Sequence, residues 1–77
     1  MAKKSPLHSD AYGRFIQRLL LARKEAGLTQ VQVAAALGRP LSYVSKCELG
    51  ERRVDFVELV RFARLYGKAL DFFADPE

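Results

Sequence analysis

The stretch Gln30–Leu49, QVQVAAALGRPLSYVSKCEL, decides the fold. Two short helix-forming runs are separated in it by Gly38-Arg39-Pro40. Gly38 accepts the left-handed backbone that ends a helix, and proline, which lacks an N–H, is well placed to open the next one. Just ahead, Thr29-Gln30-Val31-Gln32 has the capping-box pattern, in which the Thr29 hydroxyl and the Gln32 side chain satisfy each other's backbone amides. Two helices joined by so tight a turn cross closely. The crossing needs a small residue midway along the first (Ala34), a turn residue that tolerates positive φ (Gly38), and an apolar side chain inserted behind the turn (Val44). Val33, Leu37 and Cys47 complete the lining. The spacing predicts a second helix over Gln30–Leu37 and a third from Pro40 or Leu41 to Glu48, closed by Gly50.

Outward from this core, the same punctuation recurs. Ser9 or Asp10 can cap a first helix whose buried stripe would be Phe15, Leu19, Ala22 and Ala26, with Gly27 as its stop. Asp55-Phe56-Val57-Glu58 repeats the capping box and opens a fourth helix that ends near Tyr66, before Gly67. Ala69 to Ala74 is long enough for a fifth, short helix ahead of Pro76. No segment alternates with a period of two, so strands are not expected. The predicted architecture is all-α, a compact five-helix bundle in one domain over residues 9–77, preceded by a flexible, basic arm over residues 1–8. His8 lies in that arm with no second ligand nearby. Lys3 and Lys4 either track a polyanion or do nothing.

Bulk properties narrow the classes. With 77 residues the chain supports a single modest core. One cysteine, Cys47, can form no internal disulfide and belongs to no metal-ligand cluster. No apolar run is long enough for a bilayer, and no apolar stretch follows Lys3 and Lys4 as in a secretory signal, so a cytoplasmic protein is expected. Charge is uneven: ten basic residues against four acidic ones through Arg53, then three against five. A basic front suits a polyanionic partner. There is no paired carboxylate in a cleft, no phosphate-cradling glycine loop and no nucleophile–base pair. No enzyme activity, cofactor, metal or small-molecule ligand is expected.

Gly27-Leu28-Thr29-Gln30, Val33-Ala34, Leu37-Gly38, Val44-Ser45-Lys46, Glu48 and Gly50, followed by Leu59, Ala63, Tyr66 and Gly67, fall in the order and spacing of a known family. From about Phe15 to Phe73 the chain resembles the lambda-repressor-like (xenobiotic-response-element type) helix-turn-helix proteins. The resemblance implies double-stranded DNA as partner, with the third helix in the major groove and the second crossing the backbone. It implies that Leu41, Ser42, Tyr43 and Lys46 face outward. Lys46 would read guanine, and Ser42 a base edge or a phosphate. Tyr43 would either contact DNA or fill space between helices. Gln30 would bond a phosphate, and Arg39, Arg52 and Arg53 would clamp the backbone, unless the two loop arginines are merely solvated. Arg23 and Glu48 match a pair that forms a structural salt bridge in the family.

Three departures stand out, the first being Pro40, which sits where many relatives have a capping serine. Leu41 replaces a polar residue that is commonly glutamine, exchanging an adenine bond for contact with a thymine methyl. Glu51 sets an acidic group beside the expected clamp. The resemblance implies a transcriptional regulator, most simply a repressor acting as a homodimer on a near-palindromic operator. Phe62, Leu65 and Phe72 supply surplus apolar atoms for the dimer interface. The alternatives are an antitoxin, which binds a partner protein as well as its promoter, a restriction–modification controller with the same DNA-binding mode, or a protein-interaction module that has lost DNA binding.

Overall fold

Each α-helix in this protein stops at a glycine in the left-handed region, and the stop sets where the next element begins. The computed structural model describes residues 10–74; the expected arm over residues 1–8 and Ser9 lie outside the described residues. The elements are α1 (Asp10–Glu25), α2 (Gln30–Leu37), α3 (Leu41–Leu49), α4 (Phe56–Tyr66) and a single 3-10 turn, Leu70–Phe73. No strand occurs among the described residues. The expected fifth helix is therefore a 3-10 turn, which brings the count to four α-helices. Four residues ahead of an exposed Ala74 leave too few i→i−4 bonds to sustain an α-helix.

Both capping boxes form. The Gln32 amide donates to Thr29 Oγ1 at 3.1 Å, and the Thr29 amide to Gln32 Oε1 at 2.9 Å. At α4 the Glu58 amide donates to Asp55 Oδ1 at 2.8 Å and the Asp55 amide to Glu58 Oε1 at 3.0 Å. Between α2 and α3, Gly38 sits at φ 66°, and the Gly38 and Arg39 amides donate to the carbonyls of Ala35 and Ala34. This Schellman closure satisfies the last carbonyls of α2 and turns the chain sharply. Pro40 serves as the extended residue before α3 rather than as its first helical residue.

The core gathers one stripe from every helix: Leu19 and Ala22, Val33 and Ala34, Val44 and Cys47, Phe62, Ala63 and Tyr66, closed below by Phe73. α2 packs most extensively on α3, across the small side chain of Ala34. The α1 stripe differs from expectation. Ile16, not Ala26, joins Leu19 and Ala22, because α1 ends at Glu25 and leaves Ala26 exposed in the turn. Phe15 is half-buried at the edge, 6.3 Å from the Phe73 ring.

Phe62 has no exposed surface, its ring lying between those of Tyr43 and Tyr66. It therefore has nothing to offer a second chain, contrary to the expected interface. Leu65 and Phe72 are half-buried and packed on the same core. Arg18 and Lys68 both lie over the Phe72 ring, each 4.4 Å from its centroid, and cover the surface it was expected to expose. Among the described residues the large apolar side chains most open to water are Phe56 and Val57 at the start of α4, 67% and 61% exposed, Leu49 where α3 ends, and Val31 on α2, with Leu70 exposed to a lesser degree.

Candidate nucleic-acid interface

The third helix has only two turns to present to a partner, and the periodicity of its buried residues fixes which side chains those are. Tyr43, Val44, Cys47 and Glu48 turn inward, and Leu41, Ser42, Lys46 and Leu49 turn outward. Ser45 is half-buried, its hydroxyl donating back to the Leu41 carbonyl at 3.1 Å. Tyr43 is thus a correction to the expected outward set. It is 8% exposed and lies parallel to the Phe62 ring, with centroids 6.1 Å apart. A residue one position past Ser42 falls a hundred degrees further round the helix, onto the core side. Burial pushes the Tyr43 phenol up to about 12.

Behind this face a polar knot ties three helices together. Arg23 on α1 meets Glu48 on α3 with two parallel bonds, Nε to Oε2 at 2.7 Å and Nη2 to Oε1 at 3.0 Å. Its remaining nitrogen donates to the Leu28 carbonyl at 3.1 Å. Gln30 Nε2, at the start of α2, donates to Glu48 Oε1 at 2.8 Å. That bond uses one of the two amide hydrogens of Gln30 and fixes the side chain beside the N-terminus of its helix. The bond from Glu48 holds the Arg23 guanidinium more firmly protonated, against the opposing pull of burial.

A second knot holds the arginines that flank α3. Arg39, in the turn, and Arg52, in the loop after Gly50, both lie over the Tyr43 ring, at 4.5 and 4.8 Å from its centroid. Both reach the same carboxylate: Arg52 Nη1 is 2.9 Å from Glu58 Oε1, and Arg39 Nη2 is 3.8 Å from Glu58 Oε2. Glu58 is buried apart from its edge, and its carboxyl is held below the usual range, first by the Arg52 bond, against burial, then by the Asp55 amide. Arg53 takes a different partner. Its guanidinium lies 4.4 Å above the Tyr12 ring of α1, while the Tyr12 hydroxyl accepts the Val54 amide at 2.9 Å.

The loop is thus fastened at successive residues, not solvated along its length. Tyr12 and Glu58 are the residues the sequence did not single out for it. Glu58 was legible only as the third residue of a capping box, and no local signal marks Tyr12, which meets the loop from forty-two residues away. Glu51, expected to oppose the clamp, is exposed and its amide bonds the Lys46 carbonyl at 3.0 Å. Among the described residues no group of histidine, cysteine, aspartate or glutamate side chains could hold a metal ion, and no helix is long and apolar enough to cross a membrane.

Comparison with curated proteins and with solved structures finds no match. A family model described as a helix-turn-helix domain matches residues 12–71, from the Tyr12 anchor through α2, the Gly38 turn and α3 into the 3-10 turn. The chain belongs to the helix-turn-helix domain family.

Proposed function

We propose that this protein is a sequence-specific double-stranded DNA-binding regulator of transcription, of the lambda-repressor-like kind, and that it represses as a cytoplasmic homodimer. One observation carries the reading. The outward face of α3 presents Leu41, Ser42 and Lys46 clear of the core, with arginines held in place immediately before and after the helix. A helix of this size fits the major groove. There Lys46 donates to guanine O6 or N7, Leu41 packs on a thymine methyl, and Ser42 bonds a base edge or a phosphate. Gln30 directs its second amide hydrogen, with the first amides of α2, toward a backbone phosphate. Arg39, Arg52 and Arg53 contact phosphates and set the register without reading sequence.

The homodimer now rests on the exposed start of α4. Phe56 and Val57, with Leu49 nearby in sequence, put large apolar side chains into water that a second copy would cover. Two copies related by a two-fold axis read half-sites about 34–36 Å apart, which makes the operator near-palindromic. The same apolar residues favour a second reading in which a partner protein covers them, as in an antitoxin or an interaction module.

Selection from a random pool of duplex DNA, at near-physiological salt, tests the first reading. Recovery of an inverted repeat by the wild-type protein, together with a dimeric mass in sedimentation, supports it. Recovery of a single half-site by a monomer sinks the homodimer. No enrichment at all sinks DNA recognition by this chain alone and leaves the interaction module.

A further inference from the structure

The two arginines that bracket α3 in sequence do not stand apart on its two flanks. Their guanidiniums converge on one tyrosine ring and one carboxylate, although one precedes α3 and the other follows it. Two like charges this close repel, and an arginine loses much of its freedom when it is stacked. The convergence therefore needs both the aromatic face of Tyr43 and the negative charge of Glu58. Neither side chain is free to supply them elsewhere. Tyr43 is wedged against Phe62, and Glu58 is anchored at the start of α4 by the Asp55 amide. Yet the arginines keep about two-fifths of their side-chain surface in water, 40% for Arg39 and 41% for Arg52. With one carboxylate between two guanidiniums, the cluster keeps a net positive charge and an open side.

We infer that Glu58 is a positioning residue, holding Arg39 and Arg52 on Tyr43 as one guanidinium pair that takes a single DNA phosphate beside α3. The inference rests on the proposed DNA recognition and deepens it: the clamp is one two-armed grip, not two independent contacts. A planar fork presented in a fixed pose matches a phosphate oxygen pair in a way that a mobile ammonium does not. Glu58 costs the interface one unit of attraction, and in exchange it restricts the arginines to the geometry in which they act together.

The test uses the full chain, the duplex it selects, and a scrambled duplex of equal length. If the wild type enriches no site, the DNA reading fails and this inference falls with it. With a site in hand, Arg39→Ala and Arg52→Ala are each expected to lower its affinity about tenfold, and the double variant only about threefold further, as for coupled neighbours. Losses that multiply would establish separate phosphate contacts and overturn the single grip. Glu58→Gln keeps the capping box, since glutamine serves at that position as glutamate does. It is expected to reduce the ratio of selected-site to scrambled-site affinity about tenfold, while scrambled-site affinity holds or rises with the lost negative charge. An unchanged ratio, or an equal fall on both duplexes, would assign Glu58 to the fold alone. Arg52→Lys gives a further check, because it keeps the charge and should still lose the selectivity.

Discussion

Arg23 on α1 and Glu48 on α3 face each other across the bundle through two parallel hydrogen bonds, with only 13% and 4% of their side chains exposed. The pair is screened from water by the helices it joins. Gln30 adds a third bond to the same carboxylate, so α1, α2 and α3 share one electrostatic joint. That joint fastens α3 to the two helices that precede it.

Breaking the joint from one side leaves a charge stranded. Arg23→Ala or Glu48→Ala should each cost about 3–5 kcal/mol in urea unfolding. The double variant should cost clearly less than the sum, because removing both charges removes the stranded one. Additive losses would mean that the two residues contribute separately.

On the proposed interface, Lys46 and Arg53 have different tasks. Lys46→Ala should weaken binding to the selected site by about 1–3 kcal/mol and relax the preference at one base pair. Arg53→Ala should weaken binding to selected and scrambled duplexes alike and shallow the salt slope by about one unit. A salt titration on both duplexes separates the two, and matching profiles would cancel the division of labour.

The turn depends on backbone conformation, not on room. A Cβ on Gly38 would meet nothing within 4 Å, yet the residue sits at φ +66°. Gly38→Ala should therefore destabilise the fold by about 1–2 kcal/mol from left-handed strain alone. Gly38→Asn should cost less, since asparagine visits that region more readily. Thermal unfolding of the two variants decides, and equal stability would mean that the turn relaxes to negative φ.

Glu58 should make the fold acid-sensitive. Its carboxyl is held below the ordinary 4.5, chiefly by the Arg52 bond, and burial works against the shift. Because folding lowers this pKa, the unfolded chain takes up the proton more readily. The stabilisation is full above 4.5 and is lost as pH falls through the lower folded value. Melting temperatures of the wild type and Glu58→Gln should therefore converge as the pH is taken from above 4.5 down through the lower folded value. A constant gap would show that the ion pair does not contribute.

Much of the architecture was legible because helix boundaries are written locally. Thr29 and Gln32, Asp55 and Glu58, and the glycines at 27, 38, 50 and 67 act within a turn of their own positions. The outward face of α3 was legible except at Tyr43, which sits beside Ser42 in sequence but one step further round the helix, against Phe62. Phe62 and Phe72 read as surplus apolar surface because hydrophobicity does not say what covers a side chain. In the structure Tyr43 and Tyr66 enclose the first, and Arg18 and Lys68 cover the second.

Local sequence was enough for the four α-helices, their glycine stops and the tight turn between α2 and α3, though not for the 3-10 turn over Leu70–Phe73, since capping bonds and positive φ involve neighbours only. Which arginines stand together, and what holds them, follows from packing between elements distant in sequence. Tyr43 and Arg52 are brought to Glu58, and Tyr12 to Val54, by the packing of α1, α3 and α4 around Phe62. A charge or a ring acts over a few ångströms of space, whatever its separation along the chain, and local sequence pattern carries no record of that distance.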